Sequence, residues 1–356
     1  MKRIILFAAG VFFTATALHS QSVYPVDDNK STEELHLTVI PRIDVNPTIS
    51  TGDGASADIN TVSPTLYTVF EGNITDHVSF YLSNHWLAPH PENLYDNTLR
   101  SNASSWVDQA IISYNLDCGL SLGAGKIATT FGNFEEFAED WDAHSVTSHG
   151  SILASSYWNG MMTYEWGVNL GYTIDESNSL IFQWLTSPYG EKPFSSNLYG
   201  YHLSWSHTKD AYSMKLSGNL IETKRGTYAA YVGWGQRLAF SKQLVGTLDI
   251  EHFAEPHNGS FFDQYNSFQA TIQYAQSPKL DLTGRLGYER GRTQQCPIGY
   301  SDDGVFRKNT VYGGISANYY PLKTRQLRLH ATAALHNQYD EAWLSLGATY
   351  FLRFDF

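Results

Sequence analysis

The final fifteen residues, Ala342-Trp-Leu-Ser-Leu-Gly-Ala-Thr-Tyr-Phe-Leu-Arg-Phe-Asp-Phe356, decide the fold. Side chains alternate between the faces of an extended strand. Leu344, Leu346, Ala348, Tyr350, Leu352, Phe354 and Phe356 therefore share one side, and Ser345, Gly347, Thr349, Arg353 and Asp355 the other. An apolar face backed by a polar one suits a strand with lipid on one side and water on the other. Such a sheet cannot lie open in a bilayer, where every backbone polar group needs an internal partner, so it must close on itself. The expected fold is all-β, a transmembrane antiparallel β-barrel.

The same alternation recurs upstream. Val78, Phe80 and Leu82 oppose Ser79, Tyr81, Ser83 and His85; Phe268, Ala270, Ile272 and Tyr274 oppose Gln269, Thr271 and Gln273. Leu327, Leu329, Ala331, Ala333 and Leu335 oppose Gln326, Arg328, His330, Thr332 and His336. Sixteen strands are expected, at 35–44, 65–74, 77–87, 105–116, 119–128, 160–174, 179–187, 198–208, 211–222, 226–240, 243–254, 264–276, 278–290, 309–320, 325–337 and 342–356. Short connections (Thr75-Asp76, Asp117-Cys118, Asp175 to Asn178, Lys209-Asp210, Ser241-Lys242, Ser277, Pro321 to Thr324) alternate with longer ones. Short turns at one end and longer loops at the other are the pattern of a spanning barrel with both termini on the short-turn, periplasmic side. A soluble sandwich alternates too, with its apolar face inward. The even strand count, the loop alternation and the features of the N-terminus select the membrane barrel.

Residues 1–20 read as a signal peptide: Lys2 and Arg3, an apolar run from Ile4 to Phe13, then Ala15, Ala17 and Ser20 before Gln21. Residues 21–34 would be a short periplasmic segment and 35–356 the barrel, with no composition break to divide it. After residue 20 no apolar stretch approaches the ~18 residues a membrane helix needs. Tyr 23, Phe 19, Trp 9 and Gly 28, with a mean hydropathy of −0.30, fit a barrel with aromatic girdles. Loss of Lys2 and Arg3 would take the formal charge from −12 to −14, which argues against a nucleic-acid partner. Cys118 falls in a short turn and Cys296 in a long loop, at opposite mouths and too far apart for a bridge.

The longest connection, 129–159, holds Glu135, Glu136, Glu139, Asp140 and Asp142 with no Lys or Arg, a formal charge of −5. Asn133 followed by Glu136 makes a capping-box-like start for a short helix. Phe134, Phe137, Ala138 and Trp141 then share one helical face. An amphipathic helix of this kind could lay its aromatic stripe on the barrel wall and turn carboxylates into the lumen. The bland reading is a solvated acidic loop.

Val107-Asp-Gln-Ala-Ile-Ile-Ser-Tyr-Asn-Leu116 and Leu120-Ser-Leu-Gly-Ala-Gly-Lys-Ile-Ala-Thr-Thr-Phe-Gly132 resemble the central signature of the phosphate-selective porin O and P family. Gly125, Lys126, Ile127, Phe131 and Gly132 match it, and Thr130 stands where that family has Pro. The terminal Phe356 likewise resembles the ending that the barrel assembly machinery recognises in outer-membrane proteins. The resemblance implies a sixteen-stranded porin in the outer membrane of a Gram-negative bacterium, among outer-membrane lipid and lipopolysaccharide. It also implies a homotrimer, and a third outer loop folded into the pore. The family's ladder of Arg and cluster of Lys are not evident here, so phosphate is not implied as the solute.

Alternation turns Arg42, Arg285, Arg328 and Arg353 inward, on strands that closure brings together, with Arg42 towards the outer end and Arg328 and Arg353 near the periplasmic end. Lys215 and Arg237 join them on neighbouring strands, and Asp249, Glu251, Asp281 and Glu289 interleave as possible partners. Charged rings and opposed charges tune a pore by their local field. The expected constriction is therefore Glu135, Glu136, Glu139, Asp140 and Asp142 facing Arg42 and Arg285, with Lys215, Arg237, Arg328 and Arg353 along the wall. Gly123-Ala-Gly-Lys126 fails as a phosphate-binding loop, because Leu120 replaces its first Gly and Ile127 its Ser/Thr. Neither a nucleophile elbow nor a zincin motif is present, and His144 and His149 lack metal-site spacing. No cofactor, metal or catalytic residue is expected. The reading is a passive channel for small hydrophilic or ionic solutes; the alternatives are a barrel hydrolase and a surface-binding barrel with a closed mouth.

Overall fold

The computed structural model describes residues 35–45, 48–50, 57–58, 62–87, 107–130, 134, 164–190, 194–254, 265–290, 309–336 and 341–356. Sixteen antiparallel strands form one closed sheet. They are β1 (Leu35–Val45), β2 (Val62–Asn73), β3 (Val78–Leu87), β4 (Val107–Asn115), β5 (Leu120–Ala128), β6 (Tyr164–Thr173), β7 (Asn178–Thr186) and β8 (Tyr199–Lys209). There follow β9 (Tyr212–Lys224), β10 (Thr227–Ala239), β11 (Leu244–Ala254), β12 (Tyr265–Ser277), β13 (Leu280–Arg290), β14 (Asn309–Tyr319), β15 (Leu327–His336) and β16. The last comprises Glu341–Tyr350 and Leu352–Asp355, and Phe351 between them keeps its place in the ladder by donating to the Gln326 carbonyl (2.8 Å). Each strand pairs with its sequence neighbours. β1 pairs with β2 on one edge and with β16 on the other, through Arg42↔Thr349 and His36↔Asp355. No edge is left open among the described strands of the wall, which is the condition for crossing a bilayer with strands.

The alternation resolves into faces as expected. On β16, Leu344 and Leu346 are 36% and 47% exposed on the outside, while Ser345 between them and Thr349 farther along are wholly buried inside. Ile112, Ile272, Leu286, Ile315 and Leu335 stand well exposed on the outer face. Ser217, Gln269, Thr271, Ser316 and Thr332 are buried on the inner one. An apolar exterior around a polar interior is the reverse of a soluble barrel, and it is what lipid demands.

The short turns fall where the sequence puts them and are closed locally. Asp175 accepts from the backbone nitrogens of Ser177 (2.8 Å) and Asn178 (2.9 Å), and the Ser177 bond foremost holds its carboxyl below the usual range. At the β14–β15 turn Arg325 adopts φ 55°, lays its guanidinium 3.7 Å from the Tyr320 ring centroid and pairs with Asp281. Both chain ends of the barrel lie at this end, where Phe356 donates to the Leu35 carbonyl (2.9 Å). One element was not foreseen. Residues 48–50 and 57–58 form a small hairpin that extends the sheet from β16 through Glu341↔Ser50. Strands of three and two residues are too short to show a period.

Candidate functional site

Two clusters face each other across the lumen. The first lies where β15, β16 and β1 meet. Arg42 and Arg328 flank Thr349 in one cross-strand row, and Asp44 and His330 flank Gly347 in the next. Asp44 holds both neighbours: Arg42 Nε lies 2.5 Å from its Oδ2 and His330 Nε2 2.8 Å from its Oδ1. Both side chains of the Asp44–His330 pair are almost wholly shielded, at 3% and 0% exposure. Gly347 makes the contact possible. A Cβ there would fall onto Asp44 Oδ1, His330 Cε1 and the Ile43 carbonyl. Arg328 reaches the Thr349 hydroxyl (3.4 Å) and lies over the Phe351 ring (5.4 Å).

This register corrects the inner wall in one respect. Counting along strands puts Arg42 towards the long-loop end and Arg328 near the short-turn end, but lateral pairing sets them either side of one threonine. Closure joins strands that are offset along their axes, and the offset cannot be read from residue numbers. Arg285 is inward and buried on β13, its guanidinium 5.4 Å from the Tyr312 ring. Arg353 belongs elsewhere: at the short-turn end its Nε donates to Asp355 (2.9 Å), which also accepts from His36 Nδ1 (2.6 Å).

The second cluster lies on β7, β9 and β11, opposite the first in a sixteen-strand circle. Lys215 and Asp249 flank inward Gly235, as Asp44 and His330 flank Gly347. Both are buried, and they attract across the bare glycine. Glu251 stands two residues on and accepts from Tyr231 (3.4 Å). Arg237 is inward and half-buried nearer the short turns. Between Leu185, Ile221, Ala229, Tyr231 and Phe253 the inner wall is apolar and at most 1% exposed, so protein covers it.

The chain leaves the wall at this cluster. Past Ala128, Thr130 donates its backbone nitrogen to Gln183 Oε1 (2.7 Å), and Gln183 Nε2 donates to the Ala128 carbonyl (3.0 Å). The Asn219 side-chain amide faces the Thr130 carbonyl at 3.3 Å. Phe134 then donates its backbone nitrogen to Asp249 (3.4 Å). These partners sit on β7, β9 and β11, successively farther from β5, so the root of the third long loop runs along the inside. Glu135, Glu136, Glu139, Asp140 and Asp142, the expected helix, His144, His149 and Cys296 lie outside the described residues, as does the proposed signal peptide.

Gly125 explains one residue of the signature segment. It has φ 142°, and a Cβ there would overlap the Ala110 carbonyl across the ladder. Lys126 after it turns outward and donates to the Val107 carbonyl (2.6 Å). Asp44 and His330 were missed as site residues. Asp44 has the parity of Arg42 two positions earlier, a signal that was present; its pairing with His330 was not readable before closure.

Comparison with solved structures fixes the fold. A multiple mutant of Rh. blastica porin superposes with a TM-score of 0.54 at 15% identity, covering 89% of this chain and all of that one. The fold is a porin's. OmpT lacking its loop L8, an outer membrane protein of Vibrio cholerae, superposes with a TM-score of 0.55 at 10% identity, covering 89% of this chain and 99% of that one. No family model matches the chain, and no curated protein does. The likeness to the phosphate-selective porins thus rests on residues 107–132 alone, and the structural neighbours support the porin barrel in general.

Proposed function

We propose that this chain is an outer-membrane porin, a water-filled channel through which small hydrophilic or ionic solutes diffuse passively. The observation that carries the reading is the closed sixteen-strand sheet with an apolar outer face and a charged inner one. About eight strands are filled by their own side chains, whereas sixteen leave an aqueous channel. Short turns then face the periplasm and the long loops the outside, and a homotrimer is the expected assembly.

The constriction in this reading lies between the two clusters. The loop root enters the lumen beside Asp249, which supports Glu135, Glu136, Glu139, Asp140 and Asp142 as its acidic side. The aromatic stripe of Phe137 and Trp141 is the natural cover for the apolar inner patch at Leu185, Ile221 and Phe253. Arg42, Arg285 and Arg328 supply the basic side, with Lys215 and Arg237 on the wall beneath the loop. A hydrolase draws no support from the Asp44–His330 pair, because the residue between them is Gly347, which has no hydroxyl. Single-channel recording in planar bilayers tests the function. Stepwise ohmic openings are expected, and a folded barrel that never conducts would overturn it.

A further inference from the structure

The outward face of β11–β14 ends in a polar row on the long-loop side. His252, Asn266, Arg290 and Asn309 are successive cross-strand partners. The next row inward along the strands is Ile250, Phe268, Tyr288 and Val311, and the one after it Leu248, Ala270, Leu286 and Gly313. The polar row therefore caps an apolar and aromatic band where that band stops. On the other side of His252 its partner is Val232, so the row ends there on that side.

Hydrogen bonding gives the row a sign. His252 Nδ1 donates to Asn266 Oδ1 (2.9 Å), and the Tyr288 hydroxyl donates to Asn309 Oδ1 (3.0 Å). With both amide oxygens engaged, the two amide nitrogens are what the row offers, and both donate. Between them stands the exposed Arg290, which has no ion-pair partner among the described residues. The contrast is with Lys126, also outward, whose ammonium is held by the Val107 carbonyl. Strands lie about 4.8 Å apart, so Asn266, Arg290 and Asn309 set donors over roughly 10 Å, with a fixed cation at the centre. A guanidinium between donors matches a phosphate's several acceptor oxygens better than a carboxylate's two.

We propose that Asn266, Arg290 and Asn309 form an outward-facing site for the phosphate of an anionic lipid in the leaflet at the long-loop end. The site rests on the membrane-barrel reading given above, since the apolar band beneath it would hold the acyl chains of the same molecule.

The test uses the full chain in dodecyl maltoside, offered phosphatidic acid, phosphatidylcholine or inorganic phosphate, with retention read by native mass spectrometry. Wild type should retain phosphatidic acid severalfold better than phosphatidylcholine. Arg290→Gln should weaken that retention by roughly tenfold, the scale of a lost charge-assisted hydrogen bond, and Arg290→Lys should restore part of it. Heat-modifiable gel migration checks that each variant is folded; should Arg290→Gln not fold, the Asn266→Ala/Asn309→Ala pair carries the test with a smaller loss. Equal retention by wild type and variants, or no preference for phosphatidic acid, overturns the site. Capture of inorganic phosphate alone, dependent on Arg290, overturns the lipid assignment in favour of a soluble anion. Currents through Arg290→Gln should match wild type, because the residue faces away from the lumen. A silent channel that still retains phosphatidic acid would sink the porin reading and leave this one standing.

Discussion

Asp44 and His330 meet at 2.8 Å across Gly347, two strands apart and 286 positions apart in the chain. The contact ties the first strand to the fifteenth over the back of the last. It is therefore a side-chain clasp on the seam that closes the barrel. Placing a methyl group between the two should open it. Gly347→Ala should cost about 1–3 kcal/mol, the usual scale of overpacking, read as a lower denaturant midpoint of the reconstituted barrel. Adding His330→Ala should recover part of the loss, since the double variant has room for the methyl. A Gly347→Ala barrel as stable as wild type would mean the clasp contributes nothing.

Asp44 is also the carboxylate seated among Arg42, Arg328 and His330. Its neutralisation as Asp44→Asn should remove one negative charge from a cluster that holds two guanidinium groups. Reversal potentials in a KCl gradient should then shift towards anions, because fixed charges act within about 8 Å at physiological salt. An unchanged potential would place this wall away from the permeation path.

The opposite side of the proposed constriction is tested by neutralising Glu135, Glu136, Glu139, Asp140 and Asp142 together as Gln and Asn. The anion-to-cation permeability ratio should rise if these carboxylates line the pore. At high salt an external loop would be screened, and the same change would leave the potentials almost untouched. No shift would take the loop out of the filter.

Lipid exposure can be tested on the last strand. Leu346→Arg should cost roughly 2–4 kcal/mol and impair assembly, as charges do near the bilayer midplane. Gln273→Arg, facing the lumen, should be mild by comparison. Facing alone would make Thr349→Arg mild as well. Its place between Arg42 and Arg328 would instead bring a third guanidinium against two, so that substitution should harm stability. Equal tolerance at Leu346 and Gln273 would reverse the faces.

Orientation has a simple reporter in Cys118, which is exposed and free in the β4–β5 turn. In a Cys296→Ser background, a membrane-impermeant maleimide should label it only after the outer membrane is permeabilised. Labelling of intact cells would put the short turns outside.

Most of the barrel was legible because lipid imposes a period of two on every strand. Each of the sixteen runs has a strand within a few residues of its expected bounds, including the hard case of β6, where 160–174 holds a single strand, Tyr164–Thr173, among the described residues. Inward and outward assignments of Arg42, Lys215, Arg285 and Arg328 followed from the same parity. What parity cannot supply is lateral register. Arg42 beside Arg328, Asp44 reaching His330 and Lys215 set across Gly235 from Asp249 all depend on how far one strand slides against the next. The inward glycine that lets charges meet, Gly347, looked in the sequence like an ordinary small residue of a polar face.

The bond from the Phe356 nitrogen to the Leu35 carbonyl has a further implication. Seen from the sheet, the chain is a ring, and the gap between residues 356 and 35 differs from a short turn only in lacking a covalent link. Which strand comes first is then a property of the reading frame and not of the barrel. A circularly permuted chain, joined across that gap and opened between Lys209 and Tyr212, would preserve every ladder of the wall while reversing which strands emerge early from the ribosome.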